Sequence, residues 1–343
     1  MNTTTPTLEE WRQLYGVAGR FKEAAPWEWL TESHVCGVRN PETGEIGYDS
    51  IMGLRGEYFA LAVYLGSEGL AGFVQMQNHP KADPTILLEI PQLQASFGER
   101  QELRKEDLAI IKSLGLKFRG HDDWPLFRSY VPGYLPWLLS PEEARFLTMC
   151  LEQGLEVALR VRQNPHLLDP LRQGLYLIRT PEKEGTALVW KDQWEKPAPP
   201  PPKTIQIKLD QKLLNAVARL PRQPMTVQAS LSAMPGGIFE KGDPRPYFGY
   251  MLMVVEAQSG FILGTEILAP KPSLEAVWTQ TPEEFLKVLP RLGQLPTEVA
   301  VNQERLRMLL EPVTTALGIK LTLTRSLPAL NQAQKAMEQM LYR

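Results

Sequence analysis

The chain has 343 residues, 37 basic and 39 acidic side chains and a net charge of −2, enough length for about two domains. Apolar residues make up 43% and charged residues 22%, which excludes a disordered chain or a fibre, and the near-even charge supplies no electrostatic drive toward nucleic acid or anionic lipid. No apolar run reaches the roughly 18 residues of a spanning helix, the polar start MNTTTPTLEEWRQLYG lacks an apolar signal core, and two cysteines, Cys36 and Cys150, cannot build a disulfide framework. The expectation is a cytoplasmic protein away from the membrane.

The first helix is expected over residues 7–23, where Leu8, Trp11, Leu14, Tyr15 and Ala18 recur at helical spacing and Thr7 with Glu10 forms a capping box. Strands follow at His34–Val38, Ile46–Met52 and Tyr58–Leu65, with a Pro- and Gly-bearing turn at Asn40–Glu45. Glu68–Gln77 reads as a helix, Thr85–Ile90 as extended and Lys105–Leu114 as a helix. Prolines hold residues 124–138 extended. Ser140-Pro-Glu-Glu143 starts a capped helix that runs to about Arg162, and Leu175–Arg179 with Thr186–Trp190 forms a closing hairpin. This half is an α+β domain over residues 1–195.

Residues 196–203, Lys-Pro-Ala-Pro-Pro-Pro-Pro-Lys, read as an extended linker, because proline fixes φ and removes the amide donor. Composition shifts across it. Seven of the eight tryptophans precede it; residues 1–203 carry 22 basic and 27 acidic groups (net −5) and residues 204–343 carry 15 and 12 (net +3).

The second domain, residues 204–343, begins with a short strand at Thr204–Leu209 and a helix capped by Asp210. Strands follow at Met225–Ala233, Tyr247–Ala257 and Phe261–Leu268, the last two joined by the turn Gln258-Ser-Gly260. A helical stretch made of Ser273–Val277 and Pro282–Leu289, continuous or broken at Pro282, precedes a strand at Pro296–Val301. A helix at Gln303–Leu317 ended by Gly318, a strand at Ile319–Thr324 and a helix at Pro328–Leu341 complete the order. From Met225 this is three strands, helix, strand, helix, strand, helix: an α/β domain with a mixed sheet.

That order, with the strings Met225-Thr-Val-Gln-Ala-Ser-Leu231, Leu252-Met-Val-Val-Glu-Ala-Gln-Ser-Gly-Phe-Ile-Leu-Gly264 and Pro296-Thr-Glu-Val-Ala-Val-Asn302, resembles the ribonuclease H-like fold of integrase catalytic cores. The resemblance covers about 120 residues and implies three carboxylates holding two divalent metals for phosphodiester cleavage. The matching positions here are Ser230, Asn302 and Gln334 or Lys335, with Glu338 one turn on; Glu256, at the end of the second strand, is one remaining acid, and one acid is not a two-metal site. Ser230, Glu256, Asn302 and Gln334 are therefore the residues of a vestigial pocket. A nuclease-like scaffold without its metal-binding carboxylates points to a non-catalytic binding or adaptor protein, with a protein partner, no cofactor and no catalytic residue. The rival is a metal-dependent phosphodiesterase with relocated acids, Glu256, Glu298 or Glu338. Passive nucleic-acid binding by the second domain has only its net +3 in support. Across the whole chain, Pro26-Trp-Glu-Trp-Leu30, Asn40-Pro-Glu-Thr-Gly44 and Tyr64-Leu-Gly-Ser-Glu-Gly-Leu70 resemble a bacterial two-domain family of unknown function.

Three groups in the first domain are weaker candidates. His34 and Cys36 share a strand face, but two ligands do not make a metal site. In Gly120-His-Asp-Asp-Trp124 an imidazole adjoins two carboxylates, yet neighbouring residues do not ordinarily face each other, so a polar turn is expected. Trp27 and Trp29 either bracket a flat ligand or fill the core, and core is the plainer reading.

Overall fold

The computed structural model describes residues 5–78, 84–185, 187–202 and 205–341. It divides into two compact units, residues 1–132 with 136–202 and residues 133–135 with 203–343. Both mix helices with sheet. Among the described residues, no helix is long and apolar enough to cross a membrane.

The first unit is a seven-stranded sheet in the order β5-β4-β3-β2-β1-β6-β7, made of β1 (Cys36–Arg39), β2 (Ile46–Met52), β3 (Phe59–Leu65), β4 (Gln92–Gly98), β5 (Trp124–Tyr130), β6 (Tyr176–Glu184) and β7 (Ala187–Glu195). Among the described residues β1 and β6 pair in parallel and the other neighbours in this sheet are antiparallel. Two helices, α1 (Leu8–Ala24) and α4 (Pro141–Gln163), cover one face, and their starts explain themselves locally. Thr7 and Glu10 exchange backbone and side-chain hydrogen bonds, and Ser140 and Glu143 repeat the device with Pro141 at the first helical position. Beneath them lies the main core, with Leu14, Phe21, Leu61, Phe97, Leu147, Leu151 and Leu177 all buried. The opposite face buries Tyr64, Phe73 and Ile90 with α2 (Gly66–Asn78). A sheet covered on both sides explains why β3, Phe-Ala-Leu-Ala-Val-Tyr-Leu, is apolar without alternation.

The second unit is a five-stranded sheet in the order β10-β9-β8-β11-β12, from β8 (Arg222–Ala233), β9 (Tyr250–Glu256), β10 (Ile262–Leu268), β11 (Leu295–Val301) and β12 (Lys320–Leu323). The β8–β9 and β9–β10 pairs are antiparallel, and β8–β11 and β11–β12 are parallel. On one face, α6 (Leu274–Val288) and α7 (Glu304–Leu317) pack over Leu252, Val254, Val299 and Val301. On the other, Leu330 and Ala333 of α8 (Pro328–Leu341) pack over Met251, Met253, Val255 and Ala300. Gly318 at φ 63° closes α7 in the left-handed conformation that glycine adopts without a steric cost.

Several expectations need correction. Residues 92–98, given no element above, form β4 inside the sheet. Residues 84–89 are a 3₁₀ helix rather than extended. Residues 205–209 form no strand, and Thr204 lies outside the described residues. The alternating Ile205, Ile207 and Leu209, just ahead of α5 (Gln211–Ala218), instead pack against the core without joining the sheet. Pro282 does not break α6: the helix runs through it, and the Thr281 hydroxyl donates to the Val277 carbonyl at 2.7 Å beside the missing amide. Residues 133–135 belong with the second unit, where the Leu135 amide donates to the Pro246 carbonyl and the Phe248 amide to that of Gly133, each at 3.0 Å.

Candidate functional site

Alternation along the strands decides which side chains of the second unit can meet. On β8, Val227, Ala229 and Leu231 enter the core under α6 and α7, which turns Gln228 and Ser230 toward α8. Both then bond α8. The Leu330 amide donates to Gln228 Oε1 at 3.0 Å, satisfying an N-terminal donor of the helix, and Gln334 Nε2 donates to Ser230 Oγ at 3.4 Å. Ala300 of β11 pairs with Gln228, and the strand ends at Val301, so Asn302 follows as an exposed residue just past the ladder. Ser230 and Gln334 thus meet on the α8 face. Both are neutral.

Glu256 does not join them. It continues the β9 alternation of Leu252 and Val254 and so belongs to the opposite face of the sheet from Ser230. Its carboxylate closes the following turn, accepting from the Ser259 hydroxyl and amide at 2.5 Å each and from the Gln258 amide at 3.0 Å. The Ser259 hydroxyl does most to lower its pKa. Glu298 lies on the α8 face but beside Thr226, four residues or about 13 Å along β8 from Ser230. It accepts from the Thr322 hydroxyl at 2.5 Å and pairs with Lys320 at 3.2 Å. Two acids on opposite faces cannot share a pair of metal ions. The Glu338 side chain lies outside the described residues.

Nor is Ser230 an activated nucleophile. Ser230 is 5% exposed, and its hydrogen-bond partner is an amide donor rather than a base. Residues 203–343 contain no histidine and no cysteine.

In the first unit, His34 is not a strand ligand. Its Nδ1 lies 3.0 Å from the Thr31 amide and 2.9 Å from the Thr31 hydroxyl. Trp27 is core, packed 4.9 Å from Phe59 and 5.8 Å from Phe97. Trp29 donates to the Ala158 carbonyl at 2.9 Å, with the Arg162 guanidinium 4.9 Å above its ring. His121 and Asp122, expected not to face each other, do meet: Asp122 at φ 55° swings its carboxylate to 2.6 Å from His121 Nδ1. With Glu99 they form a group whose ligating atoms all lie within 4.8 Å of one another. Hydrogen bonding to Asp122 raises the His121 pKa. A cavity of about 320 Å³ at the β2–β3 turn, among Glu32, Arg55, Glu57 and Tyr58, mixes both charge signs and selects no ligand class.

Sequence reasoning also missed a buried group. Asp49 on β2 is 1% exposed, and among the described residues neither carboxylate oxygen has a hydrogen-bond partner of ordinary geometry; the Cys150 thiol is the group that works against the rise in its pKa. It pairs in register with Cys36, and a Cβ at Gly154 of α4 would lie 3.0 Å from its Oδ2. Burial drives its pKa far above the carboxylate range, and burial likewise raises the Cys36 and Cys150 thiols, with the Asp49 charge adding to both. The available signal was a lone acid inside the strand string Ile-Gly-Tyr-Asp-Ser-Ile-Met.

Two family models match the chain. Residues 11–179 are similar to Domain of unknown function (DUF7309), and residues 213–338 to Domain of unknown function (DUF6930). The architecture is therefore that of two domain families in tandem. No curated protein and no solved structure matches the chain.

Proposed function

We propose that the second unit is a ribonuclease H-like domain that has become a binding module, and that the protein acts as a non-catalytic adaptor for a protein partner. Support for the fold comes from the strand order, with β8 central, an antiparallel ribbon of β9 and β10 on one side and parallel β11 and β12 on the other. The observation that carries the function is the Ser230–Gln334 hydrogen bond. Two neutral side chains satisfy each other at a place where that fold keeps metal-binding acids. Hard divalent cations need anionic oxygen to offset their charge, so this donor set does not fit a metal pair.

Restoring the acids tests the scaffold. A full-length variant carrying Ser230→Asp, Asn302→Asp and Gln334→Glu is expected to gain Mn²⁺ binding. Its melting temperature then rises with Mn²⁺, by the equivalent of about 2.7 kcal/mol at a hundredfold excess over Kd, while the parent's does not move. A folded triple variant that ignores Mn²⁺ in the melt refutes the assignment of these positions.

A further inference from the structure

Residues 1–203 carry a net charge of −5, yet one cleft of the first unit is lined by three cations and a single acid. It measures about 480 Å³, within the range of about 300–1,000 Å³ typical of small-molecule sites. Lys22 is already engaged: its Nζ donates to the Asp122 carbonyl at 2.6 Å and bonds the Asp123 carboxylate. Lys117 and Arg119 are exposed and form no ion pair or hydrogen bond among the described residues. The apolar wall is fixed in place. Phe118 stacks on Tyr15 at 6.1 Å and leans on Trp124 at 5.8 Å, while Phe97 is held in the core. On α1, a Cβ at Gly19 would find no atom within 4 Å, so the glycine leaves that side of the cleft open.

We propose that this cleft binds a small planar organic anion, with its ring against Phe118 and its anionic oxygens on Lys117 and Arg119. A phenyl face accepts a flat ring, and a guanidinium fork matches carboxylate or phosphate. Neither half suffices alone. A neutral ring leaves the cations unused, and a bare anion on two exposed cations is only weakly held in water. An aromatic carboxylate and a nucleoside phosphate share this chemistry.

The test titrates the full chain with 5′-AMP and with indole-3-carboxylate by calorimetry, with adenosine and inorganic phosphate as controls. At least one of the two anions binds with Kd below about 1 mM, and both controls bind at least about tenfold more weakly; whichever anion binds identifies the source. Arg119→Glu reduces that affinity about tenfold or more. Gly19→Leu does the same by filling the cleft, and its melting temperature holds or rises because a helical glycine is lost. Failure of both anions at 1 mM, equal binding of adenosine or phosphate, or affinity that survives both substitutions overturns the proposal.

Discussion

Asp107→Ala is expected to destabilise the first unit by about 3–5 kcal/mol. Asp107 stands in the first turn of α3 (Lys105–Ser113) and meets Arg128 of β5 in a two-pronged pair, Nη1 to Oδ1 at 2.9 Å and Nη2 to Oδ2 at 2.6 Å. The side chains are only 6% and 10% exposed. Asp107 also accepts the Arg104 amide at 2.8 Å, so it caps the helix while neutralising the arginine. Removing it strands a guanidinium that is always charged in a place water scarcely reaches. Urea unfolding measures the loss. Asp107→Leu combined with Arg128→Met recovers most of it, because the penalty comes from the unpaired charge and not from the absent pair. A loss below about 1 kcal/mol for Asp107→Ala would mean that solvent reaches the arginine in solution.

Asp49→Asn has the opposite effect near neutral pH. Burial raises the folded pKa of Asp49 above its unfolded value, so the native state holds a proton that the unfolded chain releases above about pH 4. Its contribution to stability is complete below the unfolded pKa and is lost as pH rises toward the folded one. The slope reaches about 1.4 kcal/mol per pH unit. The asparagine variant lacks this term. It should match the parent near pH 4 and exceed it by a margin that grows as pH rises to 7.5. Urea midpoints at pH 4.5, 6 and 7.5 give the comparison, and parallel curves for the two proteins would show that the carboxyl is hydrated or paired in solution. The difference curve isolates Asp49 from acids that act in the other direction, such as Asp192, whose pKa is lowered chiefly by its bond to Arg160.

Elements with local chemistry were legible in the sequence. The capping boxes at Thr7 and Ser140, the Asp210 cap and the Gly318 stop mark four helix ends because each depends on residues within one turn. Elements whose chemistry is tertiary were not. In β4 the polar Gln92, Gln94 and Ser96 are buried, and Gln94 accepts from the Tyr130 hydroxyl at 2.7 Å; on the sequence page that strand looks like surface. Residues 205–209 deceive in the other direction, since an alternating apolar pattern records one buried face and not a ladder partner.

Residue type and element order were enough to single out Ser230 and Gln334, which a hydrogen bond joins in the folded chain. Gln228 could have been found with them, two residues before Ser230 on the same strand. The displacement of Glu256 was only half legible: alternation puts it on the face of Leu252 and Val254, but that this is the face away from Ser230 follows from the β8–β9 register. The meeting of Asp49 with Cys36 and Cys150 depends on pairing among β1, β2 and α4, segments more than a hundred residues apart at the extremes.

Calorimetric titration of the full-length protein with Mn²⁺, alongside cleavage of labelled single- and double-stranded DNA and RNA, bears most directly on the claim that the place where Ser230 meets Gln334 holds no pair of metal ions. The account predicts no saturable heat at millimolar Mn²⁺ and no cleavage. Saturable Mn²⁺ binding with phosphodiester cleavage, both lost in Ser230→Ala, would contradict it.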